Sequence, residues 1–251
     1  MTPPVPEVNC LIQAYPDFWA LQTPEQAERN LLVTHTGQHF PFTEHKNPLP
    51  YADLLNRADL KTQMEQPYPA GFPVARPSRN QDPGRMRSES VFKAMYGQSQ
   101  AQVQQHLMAV PWEPSGSRLL FNRRQGAAQA LERVGHALAQ QPELAAYVRH
   151  PAGSFYWRNI AGTPRKSVHA FGAAVDFALP KGLGQYWQWR GCKEEEECPF
   201  PQAVLKDPGL QRVVEIFEKE GFIWGGKWYH VDSVHFEYRP ELTGSACKFA
   251  K

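Results

Sequence analysis

The chain has 251 residues, of which 41% are hydrophobic and 12% aromatic; this is enough to bury a core and suits one domain with additions or two small domains. The formal net charge of +2 is too small to indicate a nucleic-acid partner. The sequence contains no run of about 18 apolar residues, so no transmembrane segment is predicted. The N-terminal stretch also lacks the pattern of a signal peptide. The protein is therefore expected to be either cytoplasmic or exported with its signal removed.

Proline is concentrated in the first third of the chain, where thirteen of the 23 prolines precede residue 84. Because proline fixes φ and cannot donate a backbone hydrogen bond, this part is expected to be largely irregular. A short helix is predicted around Thr23–Gln26, which has the pattern of a capping box, and residues 31–33 could form a strand. Residues 46–87 are interpreted as a loop. We therefore predict an N-terminal extension, residues 1–87, that packs on a unit of residues 88–251.

Helical patterns become stronger after residue 88. Ser88, Ser99 and Asp207 are predicted N-caps. The predicted helices cover residues 89–96, 100–109, 124–139, 142–149 and 208–220. Short apolar or aromatic runs predict strands at residues 173–179, 222–224 and 234–239. Helices followed by short strands indicate an α+β fold with a small antiparallel sheet flanked by helices.

The four cysteines form two candidate pairs. Cys192 and Cys198 flank four consecutive glutamates, whose mutual repulsion is expected to leave the loop loose, and a disulfide would hold its ends together. Cys10 and Cys247 lie near the two ends of the chain and could also pair. An even number of cysteines suits an oxidising compartment. Four unrelated thiols and, on a weaker pattern, a zinc site are the alternatives.

Asp176 is the most unusual residue of the predicted sheet, because it lies in an apolar run that should be buried. A buried carboxylate requires a hydrogen-bonding partner, an opposite charge or a metal ion. His169 precedes it by seven residues, across Gly172, so both side chains can converge on one point. From the spacing alone, a metal site and a simple His–Asp hydrogen bond both remain open.

A second polar cluster lies at residues 221–237, where Asp232 and His235 are three residues apart. A hydrolytic zinc site needs three protein ligands and an open position, together with a carboxylate that accepts a proton from water. Two histidines and two aspartates would meet these needs. His230 is another candidate ligand by composition, but we favour an exposed position or one at the edge of a cleft.

Two motifs carry a family resemblance. Residues 167–176, Ser-Val-His-Ala-Phe-Gly-Ala-Ala-Val-Asp, resemble the S-x-H-x-x-G-x-A-x-D motif of VanY-type zinc D-alanyl-D-alanine carboxypeptidases and their L-alanyl-D-glutamate endopeptidase relatives. Residues 232–236, Asp-Ser-Val-His-Phe, resemble their second motif, D/E-x-x-H-F. The resemblance covers roughly residues 155–240, and residues 82–97 are similar to longer members less specifically. It implies a zinc peptidase that acts on bacterial cell-wall peptides.

The resemblance also implies the metal ligands and the base. His169, Asp176 and His235 correspond to the three ligands of a Zn²⁺ ion. Asp232 corresponds to the catalytic base, where many relatives have glutamate. Because aspartate is shorter by one methylene group, the backbone must bring it closer to the water.

Four further residues are candidates for contact with the substrate. Arg158 matches the arginine that these enzymes place before the first motif, where it binds a substrate carboxylate or stabilises the developing negative charge; a surface ion pair is the alternative. Ser167 is expected to bind the substrate or to orient a metal ligand. Trp224 and Trp228 are expected either to line the cleft or to pack in the core.

The bond that is cut remains open. Residues 224–228, Trp-Gly-Gly-Lys-Trp, look more like the endopeptidases, whereas residues 158–162, Arg-Asn-Ile-Ala-Gly, resemble the carboxypeptidases. A periplasmic or secreted location is expected, with peptidoglycan peptides as partners. The alternatives are a non-catalytic zinc-stabilised module that binds cell-wall peptides or a protein, and a cytoplasmic scaffold with reduced cysteines. The sequence does not indicate an oligomeric state.

Overall fold

A computed structural model describes residues 6–43, 49–194 and 196–244. Its helices are α1 (Pro6–Ala14), α2 (Pro24–Glu28), α3 (Tyr51–Arg57), α4 (Leu60–Met64), α5 (Glu89–Tyr96), α6 (Gln100–His106), α7 (Ala127–Ala139), α8 (Ala145–Val148), α9 (Gln202–Lys206), α10 (Pro208–Lys219) and α11 (Pro240–Thr243). Its strands are β1 (Leu31–Val33), β2 (His39–Pro41), β3 (Leu107–Trp112), β4 (Ser117–Asn122), β5 (Pro151–Gly153), β6 (Ala174–Phe177), β7 (Phe222–Trp224) and β8 (His235–Tyr238). Short 3₁₀ helices cover Arg124–Gly126, Pro142–Leu144, Val168–Phe171, Trp187–Arg190 and Gly225–Lys227. The predicted α+β class is confirmed.

The largest sheet within the described ranges has four strands in the order β5-β6-β8-β7, and all neighbouring strands are antiparallel. Asp176 on β6 lies directly opposite His235 on β8. Residues opposite each other on paired strands carry their side chains on the same face of the sheet. The strand register alone therefore brings these two side chains together.

The opposite face of this sheet packs on α10. Phe236 alternates with His235 along β8 and therefore points to the other side, where its ring stacks on that of Phe217 with the centroids 4.1 Å apart. Phe177 and Phe222 also contact Phe217 edge-to-face. Each fully buried ring of this kind contributes about 1.5–3 kcal/mol. This aromatic layer anchors the sheet to α10 on the side opposite the polar face.

The predicted helix caps are largely present. The Thr23 hydroxyl accepts a hydrogen bond from the Gln26 amide, and the Gln26 side chain accepts one from the Thr23 amide, which completes the capping box. Asp207 accepts a hydrogen bond from the Leu210 amide at 2.8 Å and begins α10. Ser88 precedes α5 as predicted, but its hydroxyl lies 3.0 Å from that of Ser90 and makes no capping bond.

The helix predicted over residues 100–109 is wrong at its last three residues. Helix α6 ends at His106, and residues 107–112 form β3, which pairs residue by residue with β4. Val110 and Trp112 alternate on the buried side of β3, so the tertiary packing of this face outweighs the local helical pattern.

The interpretation of residues 46–87 as a loop also needs correction. Within the described part of this range, α3 and α4 occupy residues 51–57 and 60–64. Asp59 begins α4 by accepting a hydrogen bond from the Thr62 amide at 2.8 Å. Residues 65–87 contain no helix or strand, as predicted.

Residues from both sides of the predicted boundary at residue 87 contribute to one hydrophobic core, which includes Tyr15 and Trp19 as well as Phe92 and Phe171. The Tyr15 hydroxyl also donates a hydrogen bond to Glu241 at 2.5 Å, near the other end of the described chain. The division into an extension of residues 1–87 and a domain of residues 88–251 stays a prediction.

Cys192 and Cys198 form a disulfide, with their Cα atoms 5.7 Å apart. Cys247 lies outside the described residues, and so therefore does the predicted pair of Cys10 and Cys247. Across the three described ranges, no helix is both long enough and apolar enough to cross a membrane.

Candidate metal centre and its cleft

The three predicted ligands converge on one point. Nε2 of His169 lies 3.2 Å from Oδ1 of Asp176 and 3.2 Å from Nδ1 of His235. Nδ1 of His235 lies 3.0 Å from the same Asp176 oxygen. Two imidazole nitrogens and one carboxylate oxygen form a set of donors that suits a divalent zinc ion with one position left open.

Local backbone geometry explains how the first motif supplies two of the candidate ligands. His169 lies in the 3₁₀ helix Val168–Phe171, which ends at Gly172 with φ +65°. A Cβ atom at Gly172 would lie 2.6 Å from the Leu107 side chain, so both the conformation and the close packing require glycine. The chain then enters β6, which carries Asp176 back towards His169.

Outer hydrogen bonds orient both imidazole rings. Nδ1 of His169 lies 2.7 Å from the Ser154 carbonyl oxygen, which can only accept, so this nitrogen carries the proton. Nε2 of His235 lies 3.0 Å from Oε2 of Glu237, and a carboxylate there also accepts. In the neutral rings that bind a metal ion, His169 Nε2 and His235 Nδ1 would therefore be the nitrogens that carry the lone pairs. Such outer partners set the tautomer and basicity of histidine ligands.

Electrostatics keep the two carboxylates ionised despite their burial. Burial opposes the charge on Glu237, but the hydrogen bond from His235 and the charge of Arg239 hold the pKa of Glu237 at about 2. Burial likewise opposes the charge on Asp176, and the hydrogen bonds from the two histidines lower its pKa below the usual range. Burial lowers the pKa of His235, yet its bonds to Asp176 and Glu237 outweigh this and raise it. The site is therefore built to stabilise positive charge.

Asp232 lies beside this centre with an unused oxygen. Its Oδ1 is buried and has no hydrogen-bond partner among the described residues. Burial, together with the charge of Asp176, raises the pKa of Asp232 to about 7, although His235 acts in the opposite direction. Its backbone amide bonds to the Gly225 carbonyl at 2.9 Å, and a Cβ atom at Gly225 would lie 2.5 Å from the Asp232 carbonyl oxygen. A carboxylate with a pKa near neutrality and a free oxygen suits a proton acceptor for bound water.

The centre lies in a cleft of about 300 Å³. Three of the four residues predicted to contact substrate line it, namely Arg158, Ser167 and Trp228. Trp224 does not: it is fully buried, and its indole nitrogen donates to the Ser233 carbonyl at 2.7 Å. The placement of Trp224 in the cleft is therefore wrong, and core packing is its role, because the β7 strand that carries it is buried on both faces.

His230 lines the cleft, which was one of its two predicted positions, but it is not exposed. It is 1% exposed, and its Nδ1 lies 2.6 Å from Asp82. Its other ring nitrogen lies 3.1 Å from the Glu194 carbonyl oxygen. Both ring nitrogens are thus occupied away from the three ligands, so His230 is a buried structural histidine.

Three arginines of the cleft wall were not singled out from the sequence: Arg85, Arg87 and Arg165. Arg85 makes a bidentate pair with Glu194, at 2.7 and 3.0 Å, which fixes the glutamate-rich loop that was predicted to be loose at this point. No sequence pattern connects residues 109 positions apart, so this contact could not have been anticipated.

Comparison with known families supports the assignment of the second half of the chain. Residues 161–238 match an M15 peptidase family model described as D-alanyl-D-alanine carboxypeptidase, which confirms the resemblance based on the two motifs. The matched segment contains the three convergent side chains and Asp232, and Arg158 lies just before it. At the level of the family, the match supports a peptidase acting on cell-wall peptides. Searches of curated proteins and of solved structures found no match.

Proposed function

We propose that this protein is a zinc-dependent peptidase that hydrolyses a peptide bond in bacterial peptidoglycan stem peptides. The observation that carries the proposal is the unpartnered Asp232 oxygen beside the convergent atoms of His169, Asp176 and His235. A structural zinc site needs ligands only, whereas a hydrolytic site also needs a carboxylate that remains free for water.

The residues of the chain have distinct roles in this proposal. His169, Asp176 and His235 would hold Zn²⁺, which when bound acidifies a water molecule and polarises the scissile carbonyl. Asp232 accepts a proton from that water and passes it to the leaving amine.

Substrate contacts come from the cleft wall. Arg158 is exposed at the cleft, where its guanidinium can pair with a substrate carboxylate or with the oxygen that gains negative charge. Ser167 and Trp228 contribute a hydroxyl and an aromatic surface to the same cleft.

Removal of a C-terminal D-alanine is the reaction that we propose. The description of the matching family favours it, and so does the resemblance of residues 158–162 to carboxypeptidases. The resemblance of residues 224–228 to endopeptidases has less weight, since Trp224 is a core residue. We also propose a periplasmic or secreted location, which is supported by the disulfide between Cys192 and Cys198.

The test combines metal analysis with mass spectrometry of digested muropeptides. The wild-type protein should bind one zinc ion and release terminal D-alanine. Asp232→Asn should keep the zinc but lose at least about a hundredfold in turnover, whereas His235→Ala should lose the metal. His136→Ala, at an exposed position on α7, is the matched control and should retain both.

Each alternative has its own result. Cleavage within the stem would move the assignment to the endopeptidases. Zinc binding and peptide binding without hydrolysis of any muropeptide would favour the non-catalytic module. Full activity in Asp232→Asn would remove Asp232 from its role as the base.

A further inference from the structure

Arg165 is a buried cation that has no carboxylate partner among the described residues. It is 5% exposed and lines the cleft that contains the three convergent ligands. Its Nη1 donates to the Arg85 carbonyl oxygen at 3.1 Å, while its buried Nε has no partner. No ion pair joins its guanidinium to a carboxylate within the described ranges. A buried charge left in this state is strongly unfavourable unless something else pairs with it.

The neighbouring arginines are neutralised, which makes Arg165 the exception. Arg85 pairs with Asp82 and Glu194, and Arg87 lies 3.5 Å from Glu89. Burial, together with the like charges of Arg87 and Arg85, lowers the pKa of Arg165 to about 10, although Glu194 acts in the opposite direction.

Arg239 provides the internal comparison for a buried guanidinium. It is fully buried, and it pairs with Glu237 at 2.9 Å and with Glu241 at 2.6 Å. The fold therefore supplies carboxylates to a buried arginine whose role is structural. Among the residues that the structure describes, no carboxylate forms an ion pair with Arg165.

The position of Arg165 indicates which part of a ligand it would meet. A second cavity of about 350 Å³ adjoins the cleft, and Arg165 lines both, together with Ala161, Trp187 and Gln188. The second cavity is bounded by Cys192 of the disulfide loop and by Asn56 of α3, and none of the three convergent ligands lines it. Arg165 thus lies where a groove continues beyond the metal centre.

We propose that Arg165 binds an interior carboxylate of the substrate peptide, at a subsite separate from the bond that is cut. This inference rests on the proposed function and narrows its substrate to acidic peptides in which that interior carboxylate is free. A guanidinium can hold both oxygens of a carboxylate. A carboxamide at the same place offers only one accepting oxygen and no charge, so the amidated peptide leaves Arg165 without a counter-ion.

The experiment compares two peptides that share a free C-terminus and differ only in one interior group, a carboxylate or its carboxamide. With the zinc-loaded wild-type protein, KM for the free acid should be about tenfold to a hundredfold lower than for the amide, with similar kcat. Arg165→Gln should abolish this ratio, and Arg165→Lys should restore part of it. Arg118→Gln, at an exposed position on β4, is the matched control and should keep it.

A binding measurement separates this inference from the proposed function. Calorimetry with zinc-loaded Asp232→Asn should show the same preference for the free acid, and a second Arg165→Gln change should remove it, even if the wild type hydrolyses neither peptide. Hydrolysis of both peptides without any preference would overturn the role of Arg165 alone. A preference that survives in Arg165→Gln, or failure of the free acid to bind, would overturn it as well. Thermal unfolding of Arg165→Gln should show no loss of stability, because the change removes an unpaired buried charge.

Discussion

Replacement of Glu237 by glutamine tests whether the outer hydrogen bonds tune the metal site. Glu237 is 3% exposed and lies between two donors, His235 Nε2 at 3.0 Å and Arg239 Nη1 at 2.9 Å. Glutamine has the same shape but only one accepting oxygen. If that oxygen faces His235, the new amide group faces the Arg239 donor; if it faces Arg239, the amide drives His235 towards the tautomer whose proton points at the metal.

Either orientation weakens the centre, by an amount that can be estimated. Loss of an outer partner of a histidine ligand costs about tenfold to a hundredfold in metal affinity, or about 1.4–2.7 kcal/mol. We expect Glu237→Gln to show this loss in a competition titration of Zn²⁺ against a chromogenic chelator at constant pH.

Two comparisons make the titration decisive. Glu132→Gln, at an exposed position on α7, should bind zinc like the wild type. Denaturant unfolding of the metal-free variants separates weaker coordination from partial unfolding, because removal of the Glu237 charge also leaves Arg239 with one carboxylate fewer. Unchanged zinc affinity in a folded Glu237→Gln protein would refute the assignment of His235 Nδ1 as the atom that faces the metal.

Two further predictions concern stability and binding. In the metal-free protein, the pKa of Asp232 rises from 3.8 to about 7 on folding, so the folded state holds the proton more tightly and loses stability as pH increases from about 4 to 7. In urea unfolding, Asp232→Asn should therefore be more stable than the wild type by up to about 4 kcal/mol at pH 8 and by much less at pH 4. An equal difference at both pH values would contradict the shift. Trp224→Ala should lower the unfolding free energy by about 3–5 kcal/mol, because it empties a core position. Trp228→Ala should mainly raise KM. A rise in KM in Trp224→Ala, with the larger loss of stability in Trp228→Ala, would contradict the two assignments.

The convergence of His169, Asp176 and His235 could be predicted from the sequence because most of the pattern that indicates it is local. His169 and Asp176 lie within one motif, where a glycine turn joins a 3₁₀ helix to a strand, and Asp232 lies three residues before His235. Residues separated by only a few positions often lie on the same face of an element or in the same turn, so their spacing predicts that their side chains are close. The α+β class follows for the same reason, since the stronger helices have caps and apolar periodicity within their own residues.

The errors arise where distant contacts determine the outcome. Residues 107–112 form a strand because β4 pairs with them and the core buries Val110 and Trp112, which no local pattern reveals. His230 is buried because Asp82 accepts from both its backbone amide and its ring, across 148 positions of sequence. Trp224 cannot be told from Trp228 by spacing, since only the tertiary packing decides which of them reaches the cleft.

The wall of the cleft depends on a segment that the family match does not include. The Pro83 carbonyl oxygen accepts the indole proton of Trp228 at 2.7 Å, and the Gly84 carbonyl accepts from Arg239 at 2.7 Å. Arg85 then reaches the disulfide loop through Glu194. The matched residues 161–238 contain the three convergent side chains and Asp232, whereas Gly84, Arg85 and Arg87 line the cleft around them. The motifs therefore predict the chemistry, whereas the shape of the cleft around Trp228 and Arg165 depends on contacts that residues 83 and 85 make with them.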